Sequence, residues 1–512
     1  MADLVREAPA ALLTCLPFGH VEARLWERAR PGRRLVVVVV GPVTEPFPGG
    51  LPASVIGRTV PAEDDPLPAA LATAENALTT LLASPARAHE IYTSAGRSVL
   101  LVGAGIVNLV TAWRLVREGF EVSVIDAGPD PRVGADWTEY GCTRGGGDAR
   151  MATLTEADGY FSGADPAGAN RFLTPVRLGG WRVAGPGPLT SDEHGWVSAN
   201  AAVPPWLAGQ YTRDILGINR RSMQLWDELA RTEPGLFTDA GRRDRILRLY
   251  TDSSLLARQL VRQADVGADP QLLSPAQIGD RHPALAAVAT SGVVAGGIVV
   301  DGFTVQVHRL VAQLVGELER SGAQFDWGRA GALVQDATGA VTGVRVGAKT
   351  VTADHLVLSP GAYGGDLLTG MASGGALHGV LGAWLSLPNP HGLELSLKIA
   401  RTGHLAEDSN VTVTTGPDGR SQLVIGSGYG WTGADPANID PGQLEVLHRA
   451  VADTARTFFP DAYEEAHDSG QLNCGQRHCV RPWTASSLGL LETATMPGGG
   501  TLVQRRVNPA GV

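Results

Sequence analysis

Ser98-Val-Leu-Leu-Val-Gly-Ala-Gly-Ile-Val-Asn-Leu-Val-Thr-Ala-Trp-Arg-Leu-Val-Arg-Glu-Gly-Phe-Glu-Val-Ser-Val-Ile-Asp-Ala-Gly128 is the stretch from which the fold of this chain is read. Val99 to Val102 is short, continuous and apolar, the pattern of a strand buried on both faces. Gly103-Ala104-Gly105 makes a tight turn. Ile106, Leu109, Val110, Trp113 and Leu115 follow at helical spacing, and Gly119 stands where a residue without Cβ lets a helix end. A second strand, Val122 to Ile125, closes on Asp126. Strand, glycine turn, helix, strand and terminal acid within about thirty residues make the βαβ unit of dinucleotide-binding folds.

Each part has a physical role. Gly103 lets the chain turn, and Gly105 lets the backbone approach a pyrophosphate. The helix beginning near Ile106 turns unpaired N–H groups and the positive end of its dipole toward that anion. Asp126 is placed to accept hydrogen bonds from a ribose. The third glycine of the fingerprint is replaced by Asn108, whose side chain is expected to lean outward or to push the helix off the strand. A glycine-rich turn in an ordinary βαβ unit is the alternative reading.

The rest of the chain sets the bounds. At 512 residues it is too long for one core. A hydrophobic content of 44% with mean hydropathy +0.01 is that of a globular protein. A net charge of −10, with no local basic cluster, argues against nucleic acid as a partner. Lys349 and Lys398 are the only lysines, so nearly all positive charge is arginine. The N-terminus lacks a signal-peptide pattern, and the longest apolar run, Leu35 to Val40, is too short to span a bilayer. Cys15, Cys142, Cys474 and Cys479 are sparse and have no ligand-pair spacing, so no metal site is expected. A reducing cytoplasm is the expected location.

Before the nucleotide fold, residues 1–96 read as a small α/β module, with a strand at Arg34 to Val40 and helical spacing from Leu71 to Leu82. After Asp126, the glycine-rich stretch Trp137 to Arg150 can wrap a cofactor, and residues 160–207 show no sustained period. Amphipathic helices are expected at Asp214 to Leu229, at Ser253 to Ala264 and after the cap Ser274. Gly296 to Phe303 leads into a helix, Thr304 to Arg320, then strands through Gln324 to Val334 and Val341 to Val346. Asp354 to Gly364 is a buried strand ending in a glycine turn. Residues 380–430 alternate apolar and polar between turns such as Pro417-Asp-Gly, as antiparallel sheet does.

From about Val99 to Val503 the sequence resembles the D-amino-acid oxidase superfamily, most like its glycine oxidase and sarcosine oxidase members. The resemblance rests on Val102-Gly-Ala-Gly-Ile-Val with Asp126, on Gly147-Asp-Ala-Arg150, on Gly297 to Asp301 with Leu356-Val-Leu-Ser-Pro-Gly-Ala-Tyr363, and on Cys479-Val-Arg-Pro-Trp-Thr484. It implies FAD as cofactor, contacted by Gly103, Ala104, Gly105, Ile106, Asp126, Ala127, Thr143, Gly147 and Gly361. It implies that Arg481 pairs with a substrate carboxylate, that Tyr429 and Arg150 stand on the substrate side, and that Cys479 lies where sarcosine oxidases attach the flavin. Two departures stand out. The strand Gln422-Leu-Val-Ile-Gly lacks the lysine that sarcosine oxidases use toward oxygen, and Gln504 to Val512 reads as coil where the family continues into a helix.

The expected fold is therefore α/β: a doubly wound, Rossmann-like FAD-binding domain (97–185, 296–370 and 475–512) interleaved with an antiparallel-sheet α+β substrate domain (186–295 and 371–474), after the module at 1–96. The expected function is FAD-dependent oxidation of the C–N bond of a small amino or imino acid by hydride transfer, with molecular oxygen or another electron acceptor and no membrane partner. A non-catalytic flavoprotein with an accessory biosynthetic role and a nicotinamide-dependent dehydrogenase are the alternatives.

Overall fold

The computed structural model describes residues 11–506 apart from 17, 32, 42–50, 63–65, 83–95, 134–150, 157–170, 204, 330, 338, 369–370, 372, 417–418, 487–488 and 497–500. It divides into two compact units, Met1–Thr93 with Val203–Tyr211, and Ser94–Ala202 with Thr212–Val512.

The first unit is built on β1 (Ala11–Thr14), α1 (His20–Ala29), β2 (Leu35–Val40), β3 (Val55–Val60) and α2 (Leu67–Leu82). The strands form a parallel sheet in the order β1-β2-β3. Both faces of the all-apolar β2 are used: Leu35 and Val37 pack with Trp26 of α1, while Val36 and Val38 pack with Ala70, Ala74 and Ala77 of α2.

The second unit opens with β4 (Ser98–Val102), α3 (Ile106–Arg117) and β5 (Glu121–Asp126). Then come β6 (Met151–Thr153), α4 (Ser191–Ala201), α5 (Pro205–Thr232, in this unit from Thr212 on), β7 (Arg243–Tyr250), α6 (Ser253–Asp265), β8 (Gln271–Leu273), α7 (Pro275–Arg281), α8 (Ala286–Thr290) and β9 (Gly296–Thr304). α9 (Val307–Arg320), β10 (Gln324–Trp327), β11 (Gly331–Gln335), β12 (Val341–Val346), β13 (Lys349–Val351) and β14 (His355–Leu358) follow. The remainder is β15 (Leu377–Pro388), β16 (Ser396–Ala400), β17 (Asp408–Thr415), β18 (Ser421–Gly433), α10 (Pro441–Phe458), α11 (Pro460–Asp468), β19 (Gln476–Thr484), β20 (Leu490–Thr495) and β21 (Thr501–Arg506).

One sheet runs β10-β5-β4-β14-β21-β20 and is parallel except for β20. Residues 98–126, 324–327, 355–358 and 490–506 contribute to it, so its strands come from well-separated parts of the chain. Leu101, Val122 and Val124 pack against Leu109 of α3 and Leu310, Leu314 and Leu318 of α9. The other face, through Leu100, Ile125 and Leu356, packs against Val341 and Val344 of the antiparallel β11-β12-β13 sheet and Leu367.

The larger sheet runs β19-β15-β18-β17-β16-β7-β9-β6, with β8 on β9. Its pairings are antiparallel except β16 on β7. Alternation sorts its side chains. Leu247, Leu249, Leu397, Ile399, Val411, Leu423, Ile425, Leu385 and Val480 enter a core with α7, α8, α10 and α11. The residues between them, including Arg248, Lys398, Trp384, Cys479 and Arg481, lie on the opposite face.

Several expectations change in detail. α9 starts at Val307, because Thr304 ends β9, its hydroxyl 2.8 Å from that of Ser396. The Gln324–Val334 region divides between two sheets, with Gly328 turning the chain at φ +70°. Gln504 to Arg506 are not coil but pair with Leu490 to Glu492. Residues 160–207 contain α4, whose start is fixed by the reciprocal box of Thr190 and Glu193. The Pro417-Asp turn falls outside the described residues, and Gly419 beside it has φ +80°.

Candidate active site

The cofactor edge begins where β4 ends. Gly103 has φ +99°, and a Cβ there would run into the carbonyl oxygen of Ser359, just after β14. Gly103 N–H donates to Ile125 O at 2.8 Å, and Ser359 N–H donates to Val102 O at 2.9 Å, so three strand ends are tied at this turn. The chain leaves β4 toward β5 on one side and finds β14 on the other. This is a topological switch point, where open α/β sheets bind ligands. The N-cap of α3 is Gly105, which offers no side-chain acceptor, and a Cβ on Gly105 would meet only open space. Ala104 and Ile106 beside it are buried. Gly361 follows β14 with φ +69°, completing a glycine-lined rim.

Two polar side chains of this edge are directed toward the turn. Asn108 is fully buried and turned inward, its Nδ2 donating to Val102 O at 3.0 Å and Gly103 O at 2.7 Å. It does not lean outward, because its amide satisfies two carbonyls at the end of the strand. Asp126 accepts from Ala104 N–H (2.5 Å) and Gly128 N–H (2.6 Å), so its carboxylate braces the turn itself. Ala127, next to it, is exposed.

The second wall is the non-core face of the large sheet. Arg481 on β19 is 4% exposed. Its Nε donates to Val380 O (3.3 Å), and its Nη2 donates to Leu381 O (3.3 Å) and Gly428 O (3.1 Å). Those carbonyls gather because the β15–β18 register slips between Leu381 and Ala383, where Gly428 takes φ +93°. The guanidinium lies 5.6 Å from the Tyr429 ring centroid. Tyr429 stacks on Trp181 at 4.5 Å and meets Trp483 edge-on at 6.2 Å. The turn Ala362–Leu368, directly after Gly361, packs against β19. That contact joins the cofactor edge to the strand carrying Arg481.

Cys479 is buried between Trp384 and Val424. Its sulfur is held in a disulfide whose other half lies outside the described residues. A sulfur so engaged has no thiolate to form a thioether to a flavin. Thr143, Gly147 and Arg150 also lie outside the described residues.

The same face carries charge that no sequence motif announced. Lys398 Nζ is 2.7 Å from Glu156 Oε1, while Arg248 Nη2 is 3.7 Å from Glu156 Oε2 and 2.6 Å from the Thr153 hydroxyl. Burial would raise the Glu156 pKa. The charges of Lys398 and Arg248, with hydrogen bonds from Lys398 and Thr153, outweigh burial and hold it below the ordinary carboxylate range. Its contribution to stability is therefore present above the unfolded carboxylate pKa and lost as pH falls through the lower folded value. Glu156→Gln is expected to destabilise by about 3–5 kcal/mol, because it leaves buried cations facing a neutral amide. Urea midpoints at neutral and acid pH check this; the wild-type advantage should shrink on acidification. Further along, His378 stacks on Trp196 at 4.6 Å, and burial pushes its pKa down to about 4 against the pull of Glu193. It is a neutral imidazole at physiological pH.

A family model described as FAD dependent oxidoreductase (DAO) matches residues 98–499. The chain belongs to the DAO family. Two curated relatives named D-amino acid dehydrogenase 2 match this DAO-family chain. The one from Ralstonia nicotianae is 26% identical over 414 residues, covering 78% of this chain and 90% of the relative. The one from Pseudomonas aeruginosa is 27% identical over 373 residues, covering 70% and 80%. Among solved structures, glycine oxidase from Bacillus cereus aligns with TM-score 0.53 at 14% identity, over 81% of this chain and 92% of that one. Glycine oxidase from Geobacillus kaustophilus aligns with TM-score 0.52 at 15% identity, over 81% and 90%. These likenesses show the fold.

This DAO-family chain is an FAD-dependent oxidoreductase, and its residues fit the cofactor. The space beyond Gly105 and the N-terminal N–H groups of α3 suit a pyrophosphate, and a Cβ at residue 105 would intrude on that space. Among the described residues, no three His, Cys, Asp or Glu side chains converge as a metal site, and no helix is long and apolar enough to cross a membrane.

Proposed function

We propose that the enzyme oxidises the C–N bond of an amino or imino acid, the substrate carboxylate being held by Arg481. The observation carrying this reading is the buried guanidinium on β19, the strand against which the turn after Gly361 packs. A buried, fixed cation holds a carboxylate by charge-assisted hydrogen bonding, which aims Cα–H in one direction. The three carbonyls that accept from Arg481 keep it from swinging away as substrate enters. Tyr429, braced by Trp181 and Trp483, walls the same space and excludes water. FAD supplies the acceptor for the hydride that leaves Cα. The resulting imine is hydrolysed by water. The D-amino acid dehydrogenase relatives support an amino acid as substrate, and the electrons pass on to oxygen or another carrier.

The test is anaerobic titration of the purified flavoprotein with a panel of D-amino acids, glycine and sarcosine, watching the visible flavin band. Bleaching by at least one of them is expected, and the rate of its return in air against an artificial dye identifies the class of acceptor. A protein that holds FAD yet is bleached by no member of the panel overturns the reading.

A further inference from the structure

We infer that Asn108, which stands where the dinucleotide fingerprint has its third glycine, is a positioning residue that sets the pyrophosphate turn before the cofactor arrives. This holds whichever amine is oxidised.

The peptide unit joining Gly103 to Ala104 is held on both sides. Its oxygen accepts from Asn108 Nδ2 at 2.7 Å, and its N–H donates to Asp126 Oδ2 at 2.5 Å. One peptide plane is thus gripped at both ends, by the third residue of α3 and by the acid closing β5. The same Nδ2 also donates at 3.0 Å to Val102 O, which receives Ser359 N–H from beyond β14. A single amide therefore reaches the point where the ends of β4 and β14 and the start of α3 meet. The site is sealed, with Asn108 fully buried and its Oδ1 without a hydrogen-bond partner. An acceptor left unsatisfied in a dry interior is costly, so the asparagine must gain from its two donated bonds more than a glycine would from close packing.

The electrostatics point the same way. A pyrophosphate is bound by N–H groups and repelled by carbonyl oxygens that face it. With Gly103 O drawn inward to Asn108, that carbonyl is kept off the anion and the dipole of α3 faces outward. A glycine at position 108 has no side-chain donor to hold that carbonyl, so the peptide would be held at its N–H end alone, and ordering it fully would then draw on cofactor binding energy.

The experiment compares Asn108→Gly, which completes the fingerprint, with Asn108→Ala, the best helix former. FAD release is followed from the diluted holoenzyme by recovery of flavin fluorescence, and FAD rebinding by its quenching. Both variants are expected to bind FAD about 10–100-fold more weakly than wild type, because two buried donor bonds are lost from the turn. Hydrogen exchange on the wild-type full chain stripped of FAD is the second measurement, and protected amides at 102–109 before FAD is added are expected. An Asn108→Gly or Asn108→Ala protein that holds FAD as tightly as wild type overturns the proposal, since a spacer role predicts that the consensus glycine is neutral or better. Exchange at loop rates in the stripped wild type, with protection only after FAD, overturns it independently of whether either variant folds.

Discussion

Gly103→Ala is expected to leave the protein without FAD and at least about 3 kcal/mol less stable, because the new Cβ meets both a strained backbone and a fixed neighbour. The φ of +99° belongs to a region that alanine seldom enters. The Cβ would also meet the carbonyl oxygen of Ser359, main chain that is itself bonded to Val102 and has nowhere to retreat. Gly105→Ala is the control. Its Cβ would point into open space, so the fold and melting temperature should hold while the cofactor is excluded. Circular dichroism melts and the flavin-to-protein absorbance ratio separate the two results. Equal loss of stability in both variants would show that the glycines serve folding alone.

Arg481 carries the other large effect. As the proposed carboxylate anchor, its replacement by lysine is expected to lower kcat/KM by about 10²–10³-fold, since an ammonium cannot keep the arginine's carbonyl bonds and present its charge from the same place. Most of that loss should appear in KM, with flavin content unchanged. Arg481→Met should lose more and also lower the melting temperature, because the carbonyls of Val380, Leu381 and Gly428 lose their shared donor. Steady-state kinetics on the amine that bleaches the flavin checks both. A lysine variant with the wild-type KM would remove Arg481 from the substrate side.

The nucleotide edge was legible in the sequence because its signals are local. Apolar strands, glycines and an acid at set offsets leave few alternatives, and β4, α3 and β5 form where the pattern puts them. What could not be read was the direction of side chains. The bulk of Asn108 does not reveal its place, which its hydrogen bonds decide, and Asp126 turns to Ala104 and Gly128 through contacts that no spacing encodes. α4 carried a usable signal, Thr190 with Glu193 three residues on, inside a stretch too rich in glycine and proline for its periodicity to stand out. α10 carried one too, in Asp440 followed by Pro441. Glu156, Arg248 and Lys398 had none. They meet only because β6, β7 and β16 belong to one sheet, a fact of topology that a linear reading does not contain.

The order of strands in the smaller sheet also governs how the protein is made. β4 emerges from the ribosome with β5 as a partner, but its other neighbour, β14, is more than two hundred positions downstream. At about 5–20 residues per second, the nascent chain spends on the order of 10–50 s with a valine- and leucine-rich strand edge unpaired. During that interval the β14 side of the cofactor rim, Ser359 and Gly361, is still unmade although the turn after β4 is complete, and the open edge is a surface on which neighbouring chains can aggregate. Cofactor loading is therefore a late event in biogenesis, and soluble yield will follow how fast translation and chaperones carry the chain past residue 359.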